Sequence, residues 1–284
     1  MQGENITITL MHVEQRMSAL VHLHPGEAAQ AVAQHLSAGG SRVRARLALH
    51  ACRALRVHEP AAVAIAAACE LLHNASLVHD DLQDRDAQRR GRDAVWRSHG
   101  DATAICAGDL LLSAAYAALA DTGPAAASLL AAMHARVSAV IRGQCDDLAL
   151  QGGTLACLHT YERVAAAKSG PLLVLPLELA LRSAGQAAAV DDAERAGTLF
   201  AVGYQAADDL DDVERDAVNE ELNVVAVLAA SGHADPFVAA RELAIDRYRQ
   251  SAAIALRLPG GCGALLAEQA TRRAALLSGE AAAA

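Results

Sequence analysis

The sequence predicts an all-α fold, and three observations carry that reading. Alanine, the strongest helix former, is abundant throughout the chain. Aromatic residues make up only 2% of it, whereas sheets favour aromatic and β-branched side chains. Between its breakers, apolar residues recur with helical rather than alternating spacing. With 284 residues, 53% of them hydrophobic, the chain suffices for one large core and is read as a single domain over residues 1–284.

Breakers set the elements. Pro25-Gly26, Gly39-Gly40, Glu59-Pro60, Gly91, Gly123-Pro124, Gly152-Gly153, Gly170-Pro171, Gly232, Asp235-Pro236 and Pro259-Gly260-Gly261 cut the chain into helix-length pieces. The first long periodic piece is 61–84, with Pro60 suited to a first helical position. Pieces 102–119 and 125–150 follow. Thr154 and Thr160 are expected caps for the next helix, which Gly170-Pro171 should divide. The last strongly periodic piece is 193–215, and the alanine-rich end, 280–284, is expected to fray.

Composition also excludes functions. A net charge of −9 without a basic run argues against nucleic acid as a partner. Six cysteines fall at no metal-like spacing and read as reduced thiols of a cytoplasmic protein. Glu4 and the lack of a long apolar stretch near the start argue against a secretory signal. The longest apolar run, 61–69, is well short of the ~20 residues of a membrane span. Of 24 basic residues a single one is lysine, Lys168. An ammonium differs from a guanidinium in shape and hydration, so a chain that otherwise uses arginine marks this position as one needing a point charge.

Two aspartate clusters dominate the chemistry. Asp80, Asp81 and Asp84 form the first; Asp208, Asp209, Asp211 and Asp212, preceded by Gln205, form the second. Each repeats at i, i+1 and i+4, which aligns at least two carboxylates on one helix face. A single acidic run is usually a solvated face, but both of these adjoin strongly apolar stretches, where clustered carboxylates are costly unless a cation joins them. Mg²⁺ suits such a set, because it binds through a few carboxylates together with substrate phosphates. The Asp80 face continues through Ser76 and His73 to Cys69, within roughly 40° on a helical wheel, so a carboxylate mouth stands above small and apolar residues. Arg89-Arg90-Gly91 follows, and Gly39-Gly40-Ser41-Arg42-Val43-Arg44 precedes; guanidinium forks of this kind bind phosphate oxygens.

Together these stretches resemble the trans-isoprenyl diphosphate synthase (polyprenyl synthetase) family: GGSRVR (39–44), ELLHNASLVHDDLQDRDAQRRG (70–91), GDATAICAGDLLL (100–112), GQCDDL (143–148), KSG (168–170) and YQAADDLDDVERD (204–216). The resemblance implies an isoprenoid-synthase-type helical bundle around a deep central cavity, usually as a homodimer. It also implies condensation of isopentenyl diphosphate with an allylic diphosphate. Three Mg²⁺ ions would be held by Asp80, Asp84 and Asp208, with Asp81, Asp209 and Asp212 assisting directly or through water. Arg89, Lys168 and Gln205 would contact the allylic diphosphate, and Arg44, His73 and Arg90 would hold isopentenyl diphosphate. The two acidic clusters are then expected to face each other. In this family the residues four and five positions before the first motif help form the cavity floor. Here they are Ser76 and Ala75, both small, which implies a product of C20 or longer, geranylgeranyl diphosphate first.

Two departures from the family pattern stand out. Ser41 occupies the place of a lysine in the glycine turn, and no lysine follows the second motif, where Arg42 and Arg215 are the nearest substitutes. They keep open a non-catalytic or regulatory subunit of a heteromeric synthase. A class I terpene cyclase is disfavoured by the Asp-rich second motif and by the scarcity of aromatics to steer cations.

Overall fold

Small side chains let these helices approach closely, and alanine is the commonest residue among the buried hydrophobics. The computed structural model describes residues 2–150, 157–219 and 221–279. It is all-α, as expected. The described helices are α1 (Gln2–Val21), α2 (Glu27–Ser37), α3 (Val43–Ala54), α4 (Glu59–Gln83), α5 (Val95–His99), α6 (Asp101–Ala120), α7 (Ala126–Leu150), α8 (Leu158–Ser183), α9 (Val190–Asp211), α10 (Val213–Asn219), α11 (Val224–Ala230), α12 (Pro236–Ala255) and α13 (Ala264–Ser278). Their contacts group into two units. One holds α1 to α6, the start of α7 and the end of α8; the other holds the rest of α7 and α8 with α9 to α13.

In the first unit α4 is the spine and packs against α6, α3 and α1. Ala62, Ala64, Ala66, Ala67 and Ala68 are buried along it beside Ile65, Leu71 and Leu72. A polar chain inside this core fixes three helices. The buried Glu70 carboxylate accepts from the Ala45 amide at 3.0 Å, satisfying an orphan donor in the first turn of α3. Asn74 Nδ2 donates to the Glu70 carbonyl at 2.7 Å, and His35 Nε2 of α2 donates to Asn74 Oδ1 at 3.0 Å.

In the second unit α9 packs on α12, and α12 on α13. Tyr161, Val202, Ala206, Val225, Leu228 and Ala244 meet in a buried cluster. Arg136 of α7 joins two other helices, donating through Nε to Glu178 at 2.6 Å and through both terminal nitrogens to Glu194 at 2.8 Å.

Four features differ from the sequence reading. Pro171 and Pro176 lie inside α8 and do not divide it. Residues 170–181 are buried, so packing holds the helix through both missing donors. Pro171 cannot donate to the Ala167 carbonyl, and Gly143 of α7 lies against that carbonyl so closely that a Cβ there would sit 2.6 Å from its oxygen. The 193–215 piece breaks at Asp212, whose φ of −110° and ψ of 10° end α9. α8 begins at Leu158, so Thr160 lies within its first turn and does not cap it; the Thr154 cap, the Gly152-Gly153 breaker and the 280–284 end lie outside the described residues. A short antiparallel hairpin pairs Gln88 with Asp93 and Arg89 with Arg92. Its two loop residues, Arg90 and Gly91, both have positive φ, 53° and 74°, the requirement of a type I′ turn.

Among the described residues four segments are long and apolar enough to cross a membrane by length and composition: Glu59–Gln83, Asp101–Ala120, Gly123–Asp146 and Leu158–Ser183. This differs from the reading of short apolar runs, because alanine and interspersed polar residues hide a high average. The apolar windows of α4 and α8 are 72% and 78% buried inside the protein, as core helices are, but those of α6 and of the third segment only 44% and 22%.

Burial pushes the His35 imidazole down to about 4, against the Asn74 hydrogen bond. Its folded value lies below its ordinary one, so the unfolded chain takes up the proton first. The stability this neutral histidine contributes is whole above the ordinary histidine value and is lost as pH falls towards 4. Linkage gives a loss of about 2 kcal/mol by pH 5. Urea denaturation at pH 7.5 and pH 5 should show that loss in the wild type and a smaller one in His35→Gln; equal acid sensitivity of the two would refute it.

Candidate active site

Both acidic clusters sit at the C-terminal ends of long helices. Asp80 and Asp81 lie in the last turn of α4 and Asp84 caps it; Asp208 and Asp209 lie in the last turn of α9 and Asp212 caps it. Unpaired carbonyls and the negative end of the helix dipole add to the carboxylate charge there. Such a place favours a cation. The candidate residues divide between the two units, with Arg44, His73, Ala75, Ser76, Asp80, Asp81, Asp84, Arg89 and Arg90 in the first and Lys168, Gln205, Asp208, Asp209 and Asp212 in the second.

In the first unit Asp81 is fully buried and is matched by Arg89, whose Nε donates to Asp81 Oδ1 at 2.8 Å and whose Nη2 also reaches it. Burial raises the Asp81 carboxyl even so, with Arg89 acting against the rise. The hairpin turn aims the two neighbouring arginines apart. Arg89 turns to Asp81, while Arg90 donates to the Gly39 carbonyl. A Cβ on Gly40 would lie 2.8 Å from the Arg90 guanidinium, so the glycine pair makes room for this arginine. Burial and the charges of Arg42 and Arg89 pull Arg90 below its ordinary value.

His73 sits among these cations. Burial, then Arg44 and Arg90, hold it well below the usual histidine range, so it is neutral. Its Nδ1 is buried without a hydrogen-bond partner. A neutral ring with a vacant hydrogen-bonding nitrogen, beside Arg44 and Arg90, is a place for an anionic, oxygen-rich group. Below it, Ala75 is buried and Ser76 half-buried, with Ser76 Oγ donating to the His73 carbonyl at 2.9 Å. Leu72 and Cys69, next along that face, are buried.

In the second unit Asp209 takes the corresponding inward place, 1% exposed. Neutral donors serve its side chain: Gln205 Nε2 at 2.8 Å and the Val224 amide at 2.8 Å, with Tyr161 beside them. Burial pushes it up to about 6, against these hydrogen bonds. Asn223 completes the clasp. Its Nδ2 donates to the Asp209 carbonyl and to Asp216 Oδ2, both at 2.8 Å, and its Oδ1 accepts from the Val225 amide, capping α11. Asp208 remains exposed, its carboxyl raised by partial burial and by Asp212. Lys168 is half-buried on α8, one residue after the carbonyl that Pro171 leaves without its helical donor.

Both proposed stand-ins for the absent lysines already meet carboxylates, although Arg42 Nη1 is buried without a hydrogen-bond partner. Arg42 donates to Glu14 at 2.5 Å and to the Leu36 carbonyl at 3.3 Å. Arg215 pairs with Asp212 at 2.9 Å and with Asp216 at 3.2 Å. Sequence reasoning missed Asn223, Asp216, Glu70 and Tyr161, the last of which lies buried beside Asp209. Asn223 alone carried a signal, a capping residue before an apolar run.

Among the described residues no three histidine, cysteine or acidic side chains stand ready as a closed metal cage. The donor set nonetheless fits Mg²⁺, which takes one or two carboxylates and completes its shell with water and phosphate oxygens.

Residues 26–224 match the model of the polyprenyl synthetase family. The chain is 36% identical over 173 residues to a (2E,6E)-farnesyl diphosphate synthase of Mycobacterium bovis, covering 60% of this chain and 48% of that one. It is 30% identical over 218 residues to the chloroplastic geranylgeranyl pyrophosphate synthase of Capsicum annuum, covering 73% and 58%. The chain thus spans about half the length of these relatives. A decaprenyl diphosphate synthase from Rhodobacter capsulatus shares its fold, with a TM-score of 0.86 at 19% identity over 96% of this chain and 98% of that one.

Removing the Asp81 counter-charge leaves a buried carboxylate unpaired. Arg89→Gln should therefore destabilise the substrate-free chain by about 3 kcal/mol in urea denaturation. Asp81→Asn combined with it should restore most of that loss. An Arg89→Gln chain as stable as the wild type would show that the pair does not hold the hairpin.

Proposed function

The chain belongs to the polyprenyl synthetase family, and from that membership we propose that it is a Mg²⁺-dependent prenyltransferase. It condenses isopentenyl diphosphate with an allylic diphosphate to give a trans-polyprenyl diphosphate of C20 or longer. The observation that carries this reading is that the chain has two acidic clusters of the same build, each at the C-terminal end of a long helix and each with one aspartate drawn inward.

Asp80, Asp84 and Asp208 would hold Mg²⁺, three ions with substrate bound, and the metal would neutralise the diphosphate so that it can leave. Asp81 and Asp209 keep the clusters in place, and Asp212 assists. Arg89, Lys168 and Gln205 bind the allylic diphosphate and offset the charge that develops on it. Arg44, Arg90 and the neutral His73 bind isopentenyl diphosphate. Apolar residues on the Asp80 face exclude water from the allylic cation. The proton lost on condensation passes to the departed diphosphate, so no side-chain base is required.

The whole chain is read as one isoprenyl diphosphate synthase-like domain, cytoplasmic, without a membrane span or nucleic-acid partner. The poorly buried apolar lengths of α6 and of 123–146 support a homodimer in which a second copy covers them. One observation favours a second reading, a non-catalytic subunit of a heteromeric synthase: Arg42 and Arg215, the nearest substitutes for the absent lysines, are both engaged by carboxylates.

Product analysis with isopentenyl diphosphate and C5, C10 and C15 primers separates the two. Turnover should require Mg²⁺ and fall by about a hundredfold or more in Asp80→Ala and in Asp208→Ala, with melting temperatures unchanged or raised. A chain inactive with every primer but active beside a second synthase subunit would favour the second reading.

Chain length gives a separate test. Ser76 is the more open of the two floor positions, so Ser76→Phe should shorten the product towards C15 while the first condensation continues. A wild-type product of C15 under saturating isopentenyl diphosphate would place the floor elsewhere.

A further inference from the structure

Phe200, Tyr204 and Asp208 follow one another at i, i+4 and i+8 along α9, so two rings lead up one side of the helix to the second acidic cluster. Above them lies a cation from α13. The Arg273 guanidinium carbon is 4.7 Å from the Tyr204 ring centroid and 5.9 Å from that of Phe200. Phe200 in turn meets the buried Tyr248 of α12 edge to face, with centroids 5.3 Å apart. The chain has two phenylalanines, four tyrosines and one tryptophan. Three of these seven aromatics build the wall under a single arginine, which an unselected surface contact in so aromatic-poor a chain would not require.

We propose that Arg273 is a further diphosphate-binding residue, held beside Asp208 on an aromatic stack and supplying the cation that the segment after the second acidic cluster lacks; this rests on the prenyl-transfer reading above. A guanidinium lying over a ring face uses its π surface and leaves its in-plane N–H donors for a bidentate anion. Among the described residues no carboxylate pairs with Arg273. Arg215, the other guanidinium at this cluster, is bound to Asp212 and Asp216. The position is also electrically close to the cluster. Tyr248, pushed up to about 12 by burial, feels the opposing charges of Arg273 and Asp208 together. The stack limits the side-chain freedom that an arginine otherwise loses on binding. Tyr204 thereby acts as a positioning residue, because it orients the fork without touching the anion.

The test uses the full chain with Mg²⁺ and inorganic diphosphate as probe, read by calorimetric titration at two salt concentrations. Arg273→Gln should weaken diphosphate binding by about tenfold or more and flatten its salt dependence. Arg273→Lys, which keeps the charge and most of the stem, should recover part of the affinity, and Tyr204→Leu should weaken it by a smaller factor. Arg272→Gln, an exposed neighbour on the same helix, should match the wild type. Should Arg273→Gln fold poorly, Tyr204→Leu and Arg273→Lys carry the comparison, and wild-type affinity in both overturns the proposal. Equal losses in Arg272→Gln and Arg273→Gln overturn it too, as does a wild type that does not bind diphosphate with Mg²⁺. A chain that binds diphosphate through Arg273 yet forms no prenyl product refutes the prenyl-transfer reading alone. A chain that forms product while Arg273→Gln binds diphosphate normally refutes the role of Arg273 alone.

Discussion

Each acidic cluster depends on one buried carboxylate being matched. An ionised carboxyl group taken out of water without partners costs several kcal/mol, and the two units meet that cost differently. Asp81 recruits a guanidinium, which requires the hairpin that brings Arg89 back over the end of α4. Asp209 recruits amides, which requires α11 to start where the Val224 N–H points at it and Asn223 to bridge to Asp216. The remaining aspartates of each cluster stay on the accessible side because their neighbour is anchored inward. The choice of partner also sets the charge state. A guanidinium offsets burial in part, whereas neutral donors leave Asp209 at about 6.

Around the first cluster the backbone itself is strained, at Arg42, Arg85 and Arg90. The residues other than glycine with positive φ, among those described, are Arg42, Arg56, Arg85 and Arg90. A left-handed conformation costs a side-chain-bearing residue roughly 1 kcal/mol or more. Arg42 closes the glycine turn and Arg90 closes the hairpin, and the Arg90 side chain reaches the Gly39 carbonyl across the gap. Strain is thus held where several guanidinium groups crowd a neutral histidine, an arrangement that an anion would relax.

Much of this was legible in the sequence because helical periodicity reports long amphipathic elements well. The pieces 61–84, 102–119 and 125–150 match α4, α6 and α7 within a few residues at each end, and the spacing of the aspartates put them on helix faces. The misses share one cause: each was decided by tertiary contact. Pro171 reads as a breaker until the burial on all sides of it is known. The turn at Arg90-Gly91 lacks the asparagine or aspartate that usually announces a two-residue hairpin. Asp81 and Asp209 look like their neighbours on a helical wheel, and only the positions of Arg89, Gln205 and Val224 show that they turn inward. The pairing of Arg215 with Asp212 was visible as an i, i+3 relation; that it also engages Asp216 was not.

The two prolines inside α8 have a consequence for its register. Slipping a packed helix by one residue turns its side chains by about 100° and breaks its packing. In α8 the prolines add a second lock. Any such slip would carry the Pro171 ring and its missing donor away from the place where Gly143 lies against the Ala167 carbonyl, and would drive a ring into a turn with no room for it. The prolines act as a detent. They index the helix to its neighbours in the second unit, and with it they fix the azimuth and height of the chain's single lysine, three residues ahead of the first of them.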